Sequence, residues 1–315
     1  MHTVVALHDY SEIDYSLAQL RIFIIVSFLV SLLIGYILAR VMARSLIEPV
    51  ALLQRGVEQV ESGNYRTRLM MPGQDELVEL AESFNSMTIG LDERERMTRY
   101  LSKSAVKAVE SGEDAYMGGR KVPATVLFSD IRSFTTISES NSAEVVVSLL
   151  NDYFAVMNKV VEDHGGDIDK FIGDAVMALF VTSDGGPETP AILALDAVRC
   201  ALAMMQALEV FNAERIACGL FPIMIGVGIN SGEVIAGNIG SPGRMDRTVI
   251  GDTVNVASRL EGMSKLGRHT HVIISRTTLE MVREFVEVEQ LAETAVKGKT
   301  SLVEMFEVIS IKSYN

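Results

Sequence analysis

Apolar and polar positions change rhythm several times along this chain of 315 residues. Residues 22–39 (IFIIVSFLVSLLIGYILA) carry no charged side chain, a run close to the ~20 apolar residues with which a helix crosses a bilayer. A cleaved leader would have a basic stretch ahead of its apolar run. The preceding segment instead holds Asp9, Glu12 and Asp14, so the pattern predicts a transmembrane helix over residues 21–39. Arg40, Arg44 and Arg55 follow it, whereas Arg21 alone stands before it. That asymmetry places the C-terminal side in the cytoplasm and predicts a single-pass protein of the cell (inner) membrane. Residues 1–20 then lie outside; TVVALHD reads as a strand and SEIDYSLAQL as the start of a helix, the end of a larger extracytoplasmic sensor.

Beyond Met42 the apolar spacing becomes three and four, through Leu52, Leu53, Val57 and Val60, and predicts a helix. Ser62-Gly63-Asn64-Tyr65 breaks it, and an extended connector leads to Pro72-Gly73. A second amphipathic helix starts at Asp75-Glu76 and carries Leu77, Leu80, Phe84 and Met87. Residues 93–110, with Met97, Leu101, Val106 and Val109, read as a helical coupler, and the glycine-rich residues 111–121 as a linker.

After the linker, strands and helices alternate irregularly. Residues 122–128 form an apolar strand ending in Ser129-Asp130. Asn141 and Glu144 have capping-box spacing and open a helix that buries Val147, Leu150, Phe154, Met157 and Val161, ending at Gly165-Gly166. Residues 168–172 and 175–181 flank Gly173-Asp174 as a tight hairpin. Residues 190–218 make a long helix with Met204 and Met205 in the core. Residues 223–229 and 233–236 read as a strand pair around Asn230-Ser231-Gly232. A helix over 251–264, a strand over 271–275, a helix over 277–285 and a strand over 302–309 complete the chain. The pattern predicts an α+β or α/β sandwich with a mixed or antiparallel sheet.

Composition narrows the function. The net charge is −13, from 28 basic and 41 acidic side chains, which excludes a general nucleic-acid binder, since that function needs clustered cations. The two cysteines, Cys200 and Cys218, lie in an apolar helical pattern and lack metal-ligand spacing, so they read as reduced thiols. His269 and His271, near a strand start, read as solvated loop residues.

Two strands each deliver an aspartate, Asp130 after VPATVLFS and Asp174 at the hairpin tip. Brought side by side, such carboxylates repel unless divalent cations sit between them. Paired Mg²⁺ or Mn²⁺ ions on carboxylates are a standard means of phosphoryl or nucleotidyl transfer. The run from Asp130 to Thr136 turns into a helix whose first N–H groups, at Phe134 and Thr135, can hold a polyphosphate.

Two resemblances follow from these residues. The helix–connector–helix below the membrane span, with Pro49 early and DELVELAESFNSM opening the second helix, resembles a HAMP signal-relay domain over residues 40–92. One departure is Val78, where many members carry glycine. HAMP domains are parallel dimeric four-helix coiled coils, which implies a homodimer. Further on, FSDIRSFT, DKFIGDAVMALF, RTVIGDTVNVASRLE and VKGK, in that order, resemble the class III nucleotidyl cyclases over residues 122–308. The resemblance implies their ferredoxin-like catalytic domain over residues 122–315, with residues 93–121 as coupler. It also implies conversion of a nucleoside triphosphate to a 3′,5′-cyclic monophosphate and pyrophosphate at sites shared between two subunits.

Carried over by position, the resemblance implies Asp130, Asp174 and the Ile131 carbonyl as ligands of two divalent ions per site, Mg²⁺ or Mn²⁺. Asn255 would orient the ribose and Arg259 stabilise charge on the α-phosphate, both supplied by the partner chain. Lys297 would contact the terminal phosphates, with Lys299 a weaker candidate. Asp252 reads as a helix cap, and Arg132 and Arg244 as solvent-facing. Base choice falls to Lys170 and Thr248. A lysine only donates, which suits adenine N1 and opposes the N1–H of guanine, while a threonine hydroxyl can accept from the adenine amino group. The expected substrate is therefore ATP. Threonine at 248, in place of the more usual aspartate, is similar to the cyclases that respond to bicarbonate or CO₂, and adds that anion to the expected partners. The alternatives are a guanylyl cyclase and a catalytically silent cyclase-like receptor. Gly165-Gly166-Asp167 superficially resembles the hairpin of diguanylate cyclases, but that family's pattern has no place for Lys170, Asn255 and Arg259.

Overall fold

A computed structural model describes residues 10–71, 76–98, 100–110, 118–182, 189–241, 243–291 and 304–312. The expected strand over residues 3–9 and the VKGK run, with Lys297 and Lys299, lie outside the described residues. The chain divides into two compact units, Met1–Met97 and Thr98–Asn315.

In the first unit, helix α1 spans Tyr10–Met42. A short π-helical stretch, Ala43–Ile47, joins it to α2, Glu48–Glu61. Pro49 sits in the first turn of α2. It has no N–H to donate, and its ring crowds the preceding turn, which accounts for the widened backbone there. Helix α3 follows at Glu76–Thr98. The apolar window in α1 is long enough to cross a bilayer and none of it is buried within the chain. A small core of Leu69, Ala81 and Phe84, with Leu53, Val60 and Met71 against it, holds the connector to the two helices. The Asn85 side chain clasps the connector at Leu69, donating to its carbonyl and accepting from its N–H, both at 2.8 Å. Val57, Leu80 and Met87 belong to the predicted apolar stripes, yet all three are exposed in the single chain.

The predicted continuous coupler over residues 93–110 is broken. Helix α3 ends at Thr98, and α4, Lys103–Glu110, belongs to the second unit. The Lys103 ammonium, 3.1 Å from Glu162, pins its start.

The second unit is an α+β sandwich. Its elements are β1 (Gly118–Ile131), α5 (Phe134–Ser140), α6 (Ala143–Asp163), β2 (Asp167–Ile172), β3 (Ala175–Val181), α7 (Pro190–Ala217), β4 (Ile225–Ser241), β5 (Arg244–Ile250), α8 (Asp252–Met263), β6 (Val272–Ser275), α9 (Arg276–Val282), β7 (Val286–Gln290) and β8 (Met305–Ile311). The strands form one sheet in the order β2-β3-β1-β4-β6-β8-β7, with β5 also on β4. Pairing is antiparallel except between β4 and β6. Period-two alternation divides the sheet residues. Leu127, Ile131, Val176, Ala178 and Phe180 join a large core with α6, α7 and α9. Ala124, Val126, Phe128, Met177 and Leu179 face the other way and meet Ala257 of α8. Helix α7 is also long and apolar enough to span a membrane, but half of its apolar window is buried in the unit, as befits a core helix. Met204 is fully buried there, as expected.

Several expectations are corrected. Strand β1 starts at Gly118, inside the predicted linker. Ser142, rather than Asn141, is the N-cap of α6, because the Asn141 amide closes α5 by donating to the Ile137 carbonyl at 2.8 Å. The buried stripe of α6 is Leu149, Tyr153, Met157 and Val161. Val147 points to solvent, and Phe154 is drawn aside to stack on Phe171 of β2, with ring centroids 4.1 Å apart. No turn interrupts β4 at Asn230-Ser231-Gly232. The polar groups that suggested one have tertiary partners instead: Asn230 donates to the Thr253 carbonyl, Ser231 N–H to Thr278 Oγ1, and the Ser231 and Thr125 hydroxyls meet at 2.8 Å. Helix α8 is capped by Gly251, with Asp252 its first residue. Strands β5 and β7 have no counterpart in the predicted elements.

Candidate active site

Asp130 lies near the end of β1 and Asp174 at the hairpin tip, where Gly173 takes the positive φ of 66° that the two-residue turn requires. Pairing of Ser129 with Val176 brings the two carboxylates together. The N–H of Ile131 donates to both, to Asp130 Oδ1 at 3.1 Å and to Asp174 Oδ2 at 3.2 Å. Burial, then hydrogen bonding to and repulsion by Asp174, and then the charge of Glu261 push the Asp130 carboxyl up to about 7. The two carboxylates are hard oxygen donors, and their mutual repulsion is what a divalent cation relieves. The residues therefore fit such an ion.

Helix α8 supplies neighbours that sequence reasoning missed. Burial pushes Glu261 up to about 7 against the opposing effect of Arg132. Arg132 is half-buried rather than solvent-facing: its Nη2 donates to Ser264 Oγ at 3.1 Å, and its Nε is buried without a partner. Arg244 is exposed, as expected. The helix can lie this close because β4 presents Gly228, where an added Cβ would stand 2.1 Å from the Glu261 nitrogen. On the same helix Asn255 is exposed and Arg259 half-buried, with its Nη1 buried and without a partner. Beneath Asp130, the wholly buried Tyr153 hydroxyl meets Ser129 Oγ at 3.2 Å, and burial raises its pKa.

Lys170 and Thr248 come together through a residue the sequence reading did not single out. Thr248 Oγ1 donates to Asp169 Oδ2 at 2.6 Å, and Lys170 Nζ lies 3.4 Å from the same oxygen. Burial raises the Asp169 pKa more than Thr248 and Lys170 lower it. Two cavities adjoin Asp169, one of about 470 Å³ that Lys170 also lines and one of about 110 Å³ that Thr248 also lines. Phe134 packs on the core at the first position of α5, and Thr135 beside it is exposed. No side chain caps that helix start.

His269, Glu289 and Glu307 form a separate group whose candidate ligand atoms all lie within 4.8 Å of one another. It is a poor metal site, because Glu307 already accepts from the N–H groups of Arg268, His269, Thr270 and His271. His269 is paired with Glu289 at 2.7 Å, and the His271 Nδ1 lies 3.2 Å from the Ser264 carbonyl, so neither is simply solvated.

Comparison with known proteins defines the class. Residues 116–309 match the adenylate and guanylate cyclase catalytic domain, and residues 41–93 match the HAMP domain. The chain belongs to the family of adenylate and guanylate cyclase catalytic domains. The adenylate cyclase of Anabaena cylindrica is 35% identical over 288 residues, covering 85% of this chain and 55% of that relative; the chain thus spans about half of its length. Among solved structures, the adenylyl cyclase CyaB from P. aeruginosa is 36% identical with a TM-score of 0.57, covering 62% of this chain and 97% of the other. The guanylyl cyclase Cya2 is 39% identical with a TM-score of 0.56, covering 62% and 96%.

Proposed function

We propose that this protein is a membrane-anchored adenylyl cyclase that converts ATP to 3′,5′-cyclic AMP and pyrophosphate at sites shared by two copies of the chain. The observation that carries the reading is the convergence of Asp130 and Asp174 on one backbone N–H. Asp130, Asp174 and the Ile131 carbonyl would hold two divalent ions, Mg²⁺ or Mn²⁺. Such ions, when bound, supply Lewis-acid activation of a hydroxyl and charge neutralisation on the phosphates. The ribose 3′-oxygen bonds to the α-phosphorus as the bond to the bridging oxygen breaks, releasing pyrophosphate and the hydroxyl proton.

The remaining residues bind and orient. Lys170 donates to adenine N1, and Thr248 accepts from the 6-amino group. The N–H groups of Phe134 and Thr135 and the side chain of Lys297 meet the triphosphate. Asn255 holds the ribose, and the planar guanidinium of Arg259 stabilises charge growing on the α-phosphate. The last two come from the partner chain. The exposed apolar positions Val57, Leu80 and Met87 support a chain whose contacts are completed by a second copy. Helix α1 crosses the membrane, the HAMP helices relay the signal, and rotation or sliding of one catalytic domain against the other sets the activity. A response to bicarbonate rests on Thr248.

The likeness to a guanylyl cyclase favours a second reading with GTP as substrate, which the donor-only Lys170 opposes. Incubating the full chain in detergent micelles with ATP or GTP and Mn²⁺ or Mg²⁺ decides the matter. Cyclic AMP from ATP is expected; cyclic GMP as the main product, cyclic di-GMP, or no cyclic nucleotide would each overturn the reading.

A further inference from the structure

The Asp169 side chain is 0% exposed, and it owes its position to an irregularity in β2. Ile168 pairs with Ala178 and Lys170 with Met177, so β2 has one residue more than β3 over this step, a β-bulge. The bulge reverses the alternation. Ile168 and Ala178 belong to the core under α6 and α7, whereas Met177 faces α8. Lys170 therefore lies across from the α8-facing Met177, although regular alternation would put it on the side of Ile168.

A buried carboxylate needs partners, and those of Asp169 are specific. Oδ2 accepts from Thr248 and pairs with Lys170, while Oδ1 is buried with no partner. A hydroxyl has one proton and two acceptor sites. Thr248, with its proton given to Asp169, has only acceptor sites left for a ligand. Lys170 can only donate. Together they offer one acceptor and one donor, the complement of the adenine 6-amino group and N1 and a mismatch for guanine O6 and N1–H.

We propose that Asp169 is a positioning residue for nucleotide choice: it holds the Thr248 proton and the Lys170 ammonium so that the pocket accepts adenine and rejects guanine. The proposal rests on the adenylyl cyclase reading above. In Asp169→Asn the shape is kept, but the amide can donate to Thr248, which frees the threonine proton to point at the base. The charge that orients Lys170 is also lost.

The test is the ratio of kcat/KM for ATP to that for GTP, measured on the full chain in detergent micelles with Mn²⁺. The variants are Asp169→Asn, Thr248→Val and the two combined. A fall of about tenfold or more is expected in each single variant, with the double variant falling no further than the larger single fall, because both break the same bond. A role confined to supporting the strand would lower both activities and leave the ratio unchanged, and that result overturns the proposal. If Asp169→Asn does not fold, Asp169→Ser, smaller and neutral, is judged by the same ratio. A wild-type protein without preference for ATP overturns the adenylyl cyclase reading and this proposal with it. A wild-type preference that survives in the variants overturns this proposal alone.

Discussion

Asp130 and Asp174 accept from the same backbone N–H, that of Ile131, at 3.1 and 3.2 Å. Two carboxylates so placed act as a unit, and losing either should remove several kcal/mol of transition-state stabilisation. Asp130→Ala and Asp174→Ala are each expected to lower Mn²⁺-dependent turnover about a thousandfold or more. Gel filtration should show the oligomer unchanged. Turnover near the wild-type rate in either variant would remove the metal assignment.

Sites shared between subunits predict complementation. Asp174→Ala and Arg259→Ala are each expected to be inactive alone. Co-expressed, they should pair at random into about one-half heterodimers with one intact site each, giving about a quarter of wild-type activity. No recovery in the mixture would argue for sites contained in one chain.

Gly228 allows α8 to lie against β4. In Gly228→Ala the new Cβ would stand 2.1 Å from the Glu261 nitrogen, closer than side-chain adjustment can relieve. A stability loss of about 3 kcal/mol or more is expected, read from denaturant unfolding of the catalytic unit, together with loss of activity. A wild-type unfolding midpoint would show that α8 moves freely.

Glu307 carries an acid-limb prediction. Burial raises its pKa, but four backbone N–H donors outweigh that effect, and the net shift is downward from 4.5. The folded state thus holds its proton less tightly than the unfolded state. The stability this supplies is present above pH 4.5 and is lost as pH falls through the lower folded value. Glu307→Gln, which sets an amide donor against those N–H groups, should cost about 1–3 kcal/mol at neutral pH. Its unfolding midpoint should also change less between pH 6 and pH 3 than that of the wild type. A variant with the wild-type acid profile would count against this role.

The cysteines should differ sharply. Burial pushes the Cys200 thiol up to about 12, whereas Cys218 is exposed. A maleimide at about pH 8 is expected to label Cys218 rapidly and Cys200 only after denaturation. Mass spectrometry of the labelled peptides checks this, and rapid native labelling of Cys200 would contradict the packing of α7.

Reading the sequence singled out Asp130 and Asp174, which the fold brings together, because each lies in a short contiguous run. Asp130 and Asp174 each end a strand, and a Gly-Asp pair between apolar runs has few structural alternatives. It failed where a residue's role is set by a distant partner. Asn230 and Ser231 look like turn residues until Thr253, Thr125 and Thr278 satisfy their polar groups. Arg132 looks like a surface cation until Ser264 and Glu261 enclose it. Strand β7 does alternate, as Val286-Glu287-Val288-Glu289, but it is only five residues long and directly follows a helical pattern.

The sequence by itself determined the apolar span of α1, the helix–connector–helix below it, the α+β class of the second unit and the two strand-end aspartates, Asp130 and Asp174, that the fold brings together. These depend on local periodicity and on residue types that suit one chemistry. Only the tertiary structure decided which face of the sheet Lys170 joins and which hydrogen-bonding capacity Thr248 has left. The first depends on a bulge at Asp169 that period-two reasoning cannot foresee. The second depends on a hydrogen bond between residues 79 positions apart, and a hydroxyl's donor or acceptor character is fixed by its partner, not by its own residue type.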